Sequence, residues 1–133
     1  MIFISVTRLR IRSWRAMPAF AWHVLRVVRQ ARTAPGSIEV ELLADARRTF
    51  WTCSVWRGEA AMRDFMLSGA HRAVMPRLAG WCDEASVVHW AQIASELPGW
   101  DEIWRRMAEQ GRPSPVDHPS PAHLAFEIAP IRR

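Results

Sequence analysis

Lysine, asparagine and tyrosine are absent from this 133-residue chain. All 18 basic residues are therefore arginine, and with 13 carboxylates they give a formal charge of +5. A bias that complete reads as genome composition rather than as selection for a polyanionic partner. Nucleic-acid recognition needs a basic stripe with exposed aromatics, or a helix that enters a groove. Arg26, Arg29 and Arg32 share a helical face, and Arg8, Arg10 and Arg12 add charge, but they read as solvated faces; no nucleic acid is expected. Cysteine is scarce: Cys53 and Cys82 fit no zinc spacing and imply no disulfide, and Cys53 reads as a small core residue. Long apolar runs are lacking too. His23 and Arg26 interrupt Ala16–Val28, well short of the ~20 residues a membrane span needs. The first residues show no basic start, long apolar middle or small-residue cleavage site. The expectation is a cytoplasmic protein with no membrane partner. Phosphate-binding glycine loops, His-Glu-x-x-His and Gly-x-Ser-x-Gly are missing, as is any internal repeat.

What is present suffices for a core. Half the residues are hydrophobic, and a chain of this length buries roughly two-thirds of its unfolded surface. The organising stretch is Arg48–Trp90, which holds four of the eight tryptophans. Phe50–Trp56 is aromatic and β-branched with no Gly or Pro, as a well-packed strand requires. Gly58-Glu59 opens a helix on which Ala61, Met62, Phe65 and Met66 recur at helical spacing. Ser68-Gly69 breaks it, Ala70–Ala73 begins another turn, and Pro76 is expected to bend or end that turn. Val87–Trp90 supplies a further short strand, and Asp83-Glu84 before it reads as turn chemistry.

Around that stretch, Ile2–Ile11 alternates as a strand with apolar groups on both sides. Pro18 suits the first turn of a helix to about Arg32, buried through Phe20, Val24, Val27 or Val28, and Ala31. Pro35-Gly36 turns the chain into strand Ile38–Leu43, and Asp45–Arg48 connects that strand to the next as a hairpin. The order β-α-β-β-α-β predicts an α+β, ferredoxin-like domain over residues 1–95, with a four-stranded antiparallel sheet and both helices on one face. Residues 96–133 add a C-terminal helix, Trp100–Gln110, with Trp100, Ile103, Trp104 and Met107 as its buried stripe. A proline-rich extended arm follows, and His123–Ile128 is a candidate edge strand. An apolar sheet face without helices predicts a homodimer.

Pro35-Gly36, the strand Phe50–Trp56, the run Glu59-Ala60-Ala61-Met62-Arg63-Asp64-Phe65 and Ala70-His71-Arg72 together resemble the antibiotic biosynthesis monooxygenase-like family. The Trp56–Ala60 run and the Gly111–Pro115 tail resemble an uncharacterised bacterial branch of it. The likeness covers Ser5 to Trp90 and implies a dimeric α+β barrel, a scaffold that hosts oxygenases, haem enzymes, lyases and non-catalytic proteins. Family members that oxygenate polyphenols or degrade haem commonly pair an asparagine with a tryptophan or histidine. With no Asn and no Tyr, those sets cannot be carried over whole.

The candidate residues follow from strand parity and elimination. Phe50, Thr52, Ser54 and Trp56 share one face of the central strand; Trp51, Cys53 and Val55 share the other. The second is the more apolar and is expected to meet the helices. The first then looks into the barrel with Ser5, Thr7 and Leu9, a mixed lining suited to a planar aromatic ligand. His71, at the helix break, is the first candidate for a base or metal ligand; it would alternatively brace the Ser68–Arg72 turn. His89 is the second. Thr7, Thr52, Ser54, Trp56 and Arg72 are the expected binding residues; His118 and His123 lack a third ligand, so no metal site is expected. Two classes remain: an oxygenase acting on an aromatic or polyene substrate, and a non-catalytic dimeric small-molecule binder. No cofactor is required, although haem is left open, with His71 or His89 as its axial ligand.

Overall fold

The computed structural model describes residues 1–93 and 97–132. The chain runs β1 (Ile2–Ile11), α1 (Met17–Thr33), β2 (Ser37–Asp45), β3 (Thr49–Trp56), α2 (Glu59–Met66), α3 (Gly69–Trp81), β4 (Cys82–Gln92), α4 (Trp100–Gln110), β5 (Arg112–Pro113) and α5 (Pro121–Ala125). The antiparallel sheet has strand order β2-β3-β1-β4-β5. Its first four strands have the ferredoxin-like order, and β5 adds a two-residue edge. The expected boundary at 95/96 lies outside the described residues.

Local chemistry explains most of these elements. Pro18 sits in the first turn of α1, where a missing N–H costs nothing, and Phe20, Val28 and Ala31 are its buried residues. Gly36 turns the chain into β2 at φ 83°, and a Cβ there would lie 2.6 Å from that of Ala61. The β2–β3 hairpin is tighter than its residues suggest: Arg47 and Arg48 both adopt left-handed φ, at 64° and 58°. Asparagine or glycine usually fills such positions. Arg48 is held by its Nε–H, which donates to the Ile11 carbonyl at 3.0 Å, and its guanidinium lies over Trp14.

Four expectations about individual elements are narrowed or changed. Of the bend or end expected at Pro76, the end does not occur, and α3 continues to Trp81. Pro76 deprives the Arg72 carbonyl of its partner, yet both residues are exposed, so water can satisfy that carbonyl. β4 is eleven residues long rather than four. Asp83 and Glu84 are not turn residues; they lie in β4, where Arg10 reaches Asp83 at 2.6 Å and Arg8 reaches Glu84 at 2.8 Å. The edge strand is Arg112–Pro113, whereas the His123–Ile128 segment contains the end of a short helix and irregular chain.

The largest change concerns which sheet face meets what. Ile4, Val6, Trp51, Cys53, Val55, Val88 and Trp90 pack against Ile103 and Met107 of α4, with Ile128 and Ile131 of the C-terminal segment alongside. The Trp104 indole donates to the Ile128 carbonyl at 3.1 Å, and Arg132 closes the wrap on Asp45 of the hairpin. The Trp51 face therefore meets α4, and the Thr52–Ser54 face meets α1, α2 and α3. That reverses the parity assignment. It also removes the uncovered face on which the homodimer expectation rested, because the chain covers that face itself.

Candidate functional site

Antiparallel pairing places the short polar groups of three strands in rows across the sheet. One row reads Val40, Ser54, Ser5, His89; the next reads Leu42, Thr52, Thr7, Val87, Arg112. Apart from Leu42 and Arg112, these rows form the floor of a cavity of about 320 Å³ beneath the helices. Its roof comes from Phe20, Val24 and Val27 of α1, Met62 and Phe65 of α2, and His71, Val74, Met75 and Leu78 of α3. Ser114 and Pro115, just beyond β5, close one side. Met75 and Pro115 are exposed as well as lining, so the rim lies between α3 and the arm. The interior is apolar except for hydroxyls and two imidazoles. A cavity of ~150 Å³ holds benzene, so this one suits roughly two or three fused rings.

His71 is fixed from three sides. It sits in the first turn of α3, and its backbone N–H donates to Gln30 Oε1 at 2.8 Å. Its ring lies 4.8 Å from that of Phe65, and Nδ1 is 3.1 Å from the Met66 carbonyl. A carbonyl can only accept, so the neutral ring carries its proton on Nδ1, and Nε2 keeps its lone pair. Burial pushes the His71 pKa below its ordinary 6.5, opposed by the bond to Met66. Bracing and availability thus fall on different nitrogens: one ties down the turn while the other stays basic.

His89 also lines the cavity, tilted against Phe3 at 5.8 Å. Burial lowers its pKa first, then Arg112 and Arg63, with Glu59 acting the other way. Thr7, Thr52 and Ser54 are brought together in the floor. Trp56 is not in the wall. It is fully buried between the sheet and helices α1 and α2, beside the cavity but outside its lining, stacks on Phe65 at 5.1 Å and donates its indole N–H to Ser54 Oγ at 2.9 Å. It positions Ser54 rather than touching a ligand. Arg72 is exposed and outside the lining. Sequence reasoning took the α1 stripe for plain core; it is the cavity roof, and its spacing is the same in either role.

Residues 12–126 match the family described as a domain of unknown function, DUF3291. The chain belongs to this family. Among curated proteins none matches it. Solved structures give the fold. Rv0793 from Mycobacterium tuberculosis is 13% identical, with TM-score 0.65 over 71% of this chain and 98% of that one. An antibiotic biosynthesis monooxygenase is 15% identical, with TM-score 0.61 over 71% and 100%. SnoaB, a cofactor-independent oxygenase from Streptomyces nogalater, is 16% identical, with TM-score 0.58 over 71% and 98%. This DUF3291 domain thus has the α+β fold of the antibiotic biosynthesis monooxygenase-like proteins. No described helix is long and apolar enough to cross a membrane, and no described cluster of His, Cys, Asp and Glu could hold a metal ion.

Proposed function

We propose that this domain binds a small aromatic or otherwise apolar molecule between sheet and helices and oxygenates it without a cofactor, with His71 as the base. The observation that carries the reading is the His71 ring in the cavity lining with Nδ1 committed to the Met66 carbonyl, which leaves the lone pair of the neutral ring on Nε2. Nε2 removes a proton from an acidic C–H flanked by aromatic rings or a carbonyl. The carbanion passes an electron to O₂, combines with it as a peroxide anion and takes the proton back from Nε2 to become a hydroperoxide. Loss of water, as the second C–H proton leaves and the O–O bond breaks, yields a carbonyl. One oxygen atom is retained and the other becomes water, so a methylene plus O₂ gives a ketone plus water. The apolar roof keeps bulk water from quenching the carbanion.

Haem is the alternative cofactor. His71 would hold it through Nε2, since ligating imidazoles usually donate their other N–H to a carbonyl, as Nδ1 does here to Met66. Bound there, haem would supply one-electron chemistry with O₂. A cavity of about 320 Å³ favours a ligand of few rings over a macrocycle. The test is oxygen uptake with anthrone by protein purified without added haem. Stoichiometric O₂ consumption with no Soret band supports the reading. A Soret band that tracks activity transfers the chemistry to haem, and binding without O₂ uptake leaves a non-catalytic binder.

A further inference from the structure

The floor row Thr52, Thr7, Val87 ends in Arg112, and nothing described so far uses it. Its position has a clear origin. Helix α4 docks through Ile103 and Met107 and stops at Gly111, where a Cβ would lie 2.4 Å from the Met107 carbonyl. Only a residue without a side chain allows that close return. The next residue then pairs with Val87 at the sheet edge. Directly paired residues in an antiparallel ladder project to the same face. Val87 lines the cavity, and so does Ser114, two residues beyond Arg112 on the same face. The Arg112 side chain therefore leaves the sheet on the cavity side, at its open edge, one row from His89.

The charges around it do not cancel. The groups acting on His89 are Arg112, Glu59 and Arg63. Glu59 already holds Arg63 at 2.8 Å, whereas Arg112 makes no ion pair among the described residues. No lining residue among those described is a carboxylate or an arginine. Among the described residues, the site is thus an apolar chamber with the unpaired Arg112 guanidinium at its edge.

We propose that Arg112 forms an anion subsite at the cavity mouth, and that the ligand class is an aromatic acid. Its rings fill the chamber, and its carboxylate or other ionised oxygen meets the guanidinium. A planar fork of N–H donors suits such an oxygen pair. The subsite orients the ligand with its anionic end toward the edge and its apolar carbon toward His71. The inference rests on the cavity being the ligand site, and the experiment separates the two claims.

Calorimetry on the full chain at pH 7.5 and low salt compares 2-naphthoate with its neutral counterpart, 2-naphthalenemethanol. Naphthoate should bind about three- to tenfold tighter, an advantage set by a partly exposed charge pair and eroded in 0.5 M salt. Arg112→Gln should bring the two within about twofold and leave the alcohol unchanged. Arg29→Gln, on the outer face of α1, should preserve the difference. If both probes bind with equal affinity, or Arg112→Gln keeps the preference, the subsite is overturned while the cavity reading stands. If neither probe binds, the cavity reading fails and takes the subsite with it.

Discussion

Replacing Ile103 with alanine tests whether the sheet face opposite the cavity is truly sealed by the chain's own C-terminal helix. Ile103 is 1% exposed and lies in one cluster with Val6, Trp51, Val88 and Met107. The substitution removes three carbons, worth about 2.4 kcal/mol in transfer free energy at ~0.8 kcal/mol each. The space left is bounded by sheet side chains that cannot follow the helix inward, so a cavity term raises the cost to about 3–4 kcal/mol. For a domain of this size that corresponds to a fall in Tm of about 10 °C or more. The assay is thermal and urea unfolding followed by tryptophan fluorescence. Leu124→Ala, at a residue 74% exposed, is the control and should stay within about 0.5 kcal/mol. Ile103→Asp should go further, detaching α4 and making the protein self-associate through the bared Trp51 face. A Tm for Ile103→Ala within 2 °C of the parent (about 0.5 kcal/mol) would show that α4 is peripheral and that the face is covered by something else.

The buried pair Arg8–Glu84 carries the next expectation. Glu84 accepts from Arg8 at 2.8 Å and from the Ser120 hydroxyl at 2.9 Å, so Glu84→Ala strands the guanidinium of Arg8, a residue only 3% exposed. Chemical denaturation should show a loss of about 3–5 kcal/mol, much of it recovered when Arg8→Met is added. Burial pushes the thiols of Cys53 and Cys82 up to about 12. Mass spectrometry after alkylation at pH 8 should find both unmodified in the folded protein and both modified in urea, because the thiolate is the reactive form. Both cavity histidines have folded pKa values below 6.5, so the folded state binds fewer protons than the unfolded one below that pH. Stability should hold above 6.5 and decline as pH falls beneath it; urea midpoints at pH 7.5 and 5.5 check the sign.

The sequence carried the topology further than the faces. Pro18, Pro35-Gly36 and the aromatic run Phe50–Trp56 act locally, and the elements built on them lie where local chemistry put them. β4 was cut short because Asp83-Glu84 is polar on its own terms; only Arg8 and Arg10, on a strand more than seventy residues earlier, make it a strand interior. The face assignment failed for a related reason. Trp51, Cys53 and Val55 are the more apolar set, and they do lie beneath a helix, but that helix is α4, outside the ferredoxin-like repeat. Thr52, Ser54, Thr7, His71 and His89 were picked out from composition and parity, and the structure brings them to one cavity. Arg72 and Trp56 were not separable from that set by sequence, since exposure and a hydrogen bond to Ser54 depend on side-chain direction. Arg112 was hidden in a proline-rich tail and becomes visible only through its register with Val87.

The central claim, a basic His71 nitrogen facing an apolar ligand cavity, is tested most directly by the pH profile of anthrone-dependent oxygen uptake in the parent and in His71→Ala. The account predicts turnover above the buffer rate, rising with pH through a single group whose midpoint lies below 6.5, as the lowered pKa of His71 requires. His71→Ala should lose about 10²–10⁴-fold in rate while keeping the parent's circular dichroism. A variant that turns over at the parent's rate with the same profile would contradict the account.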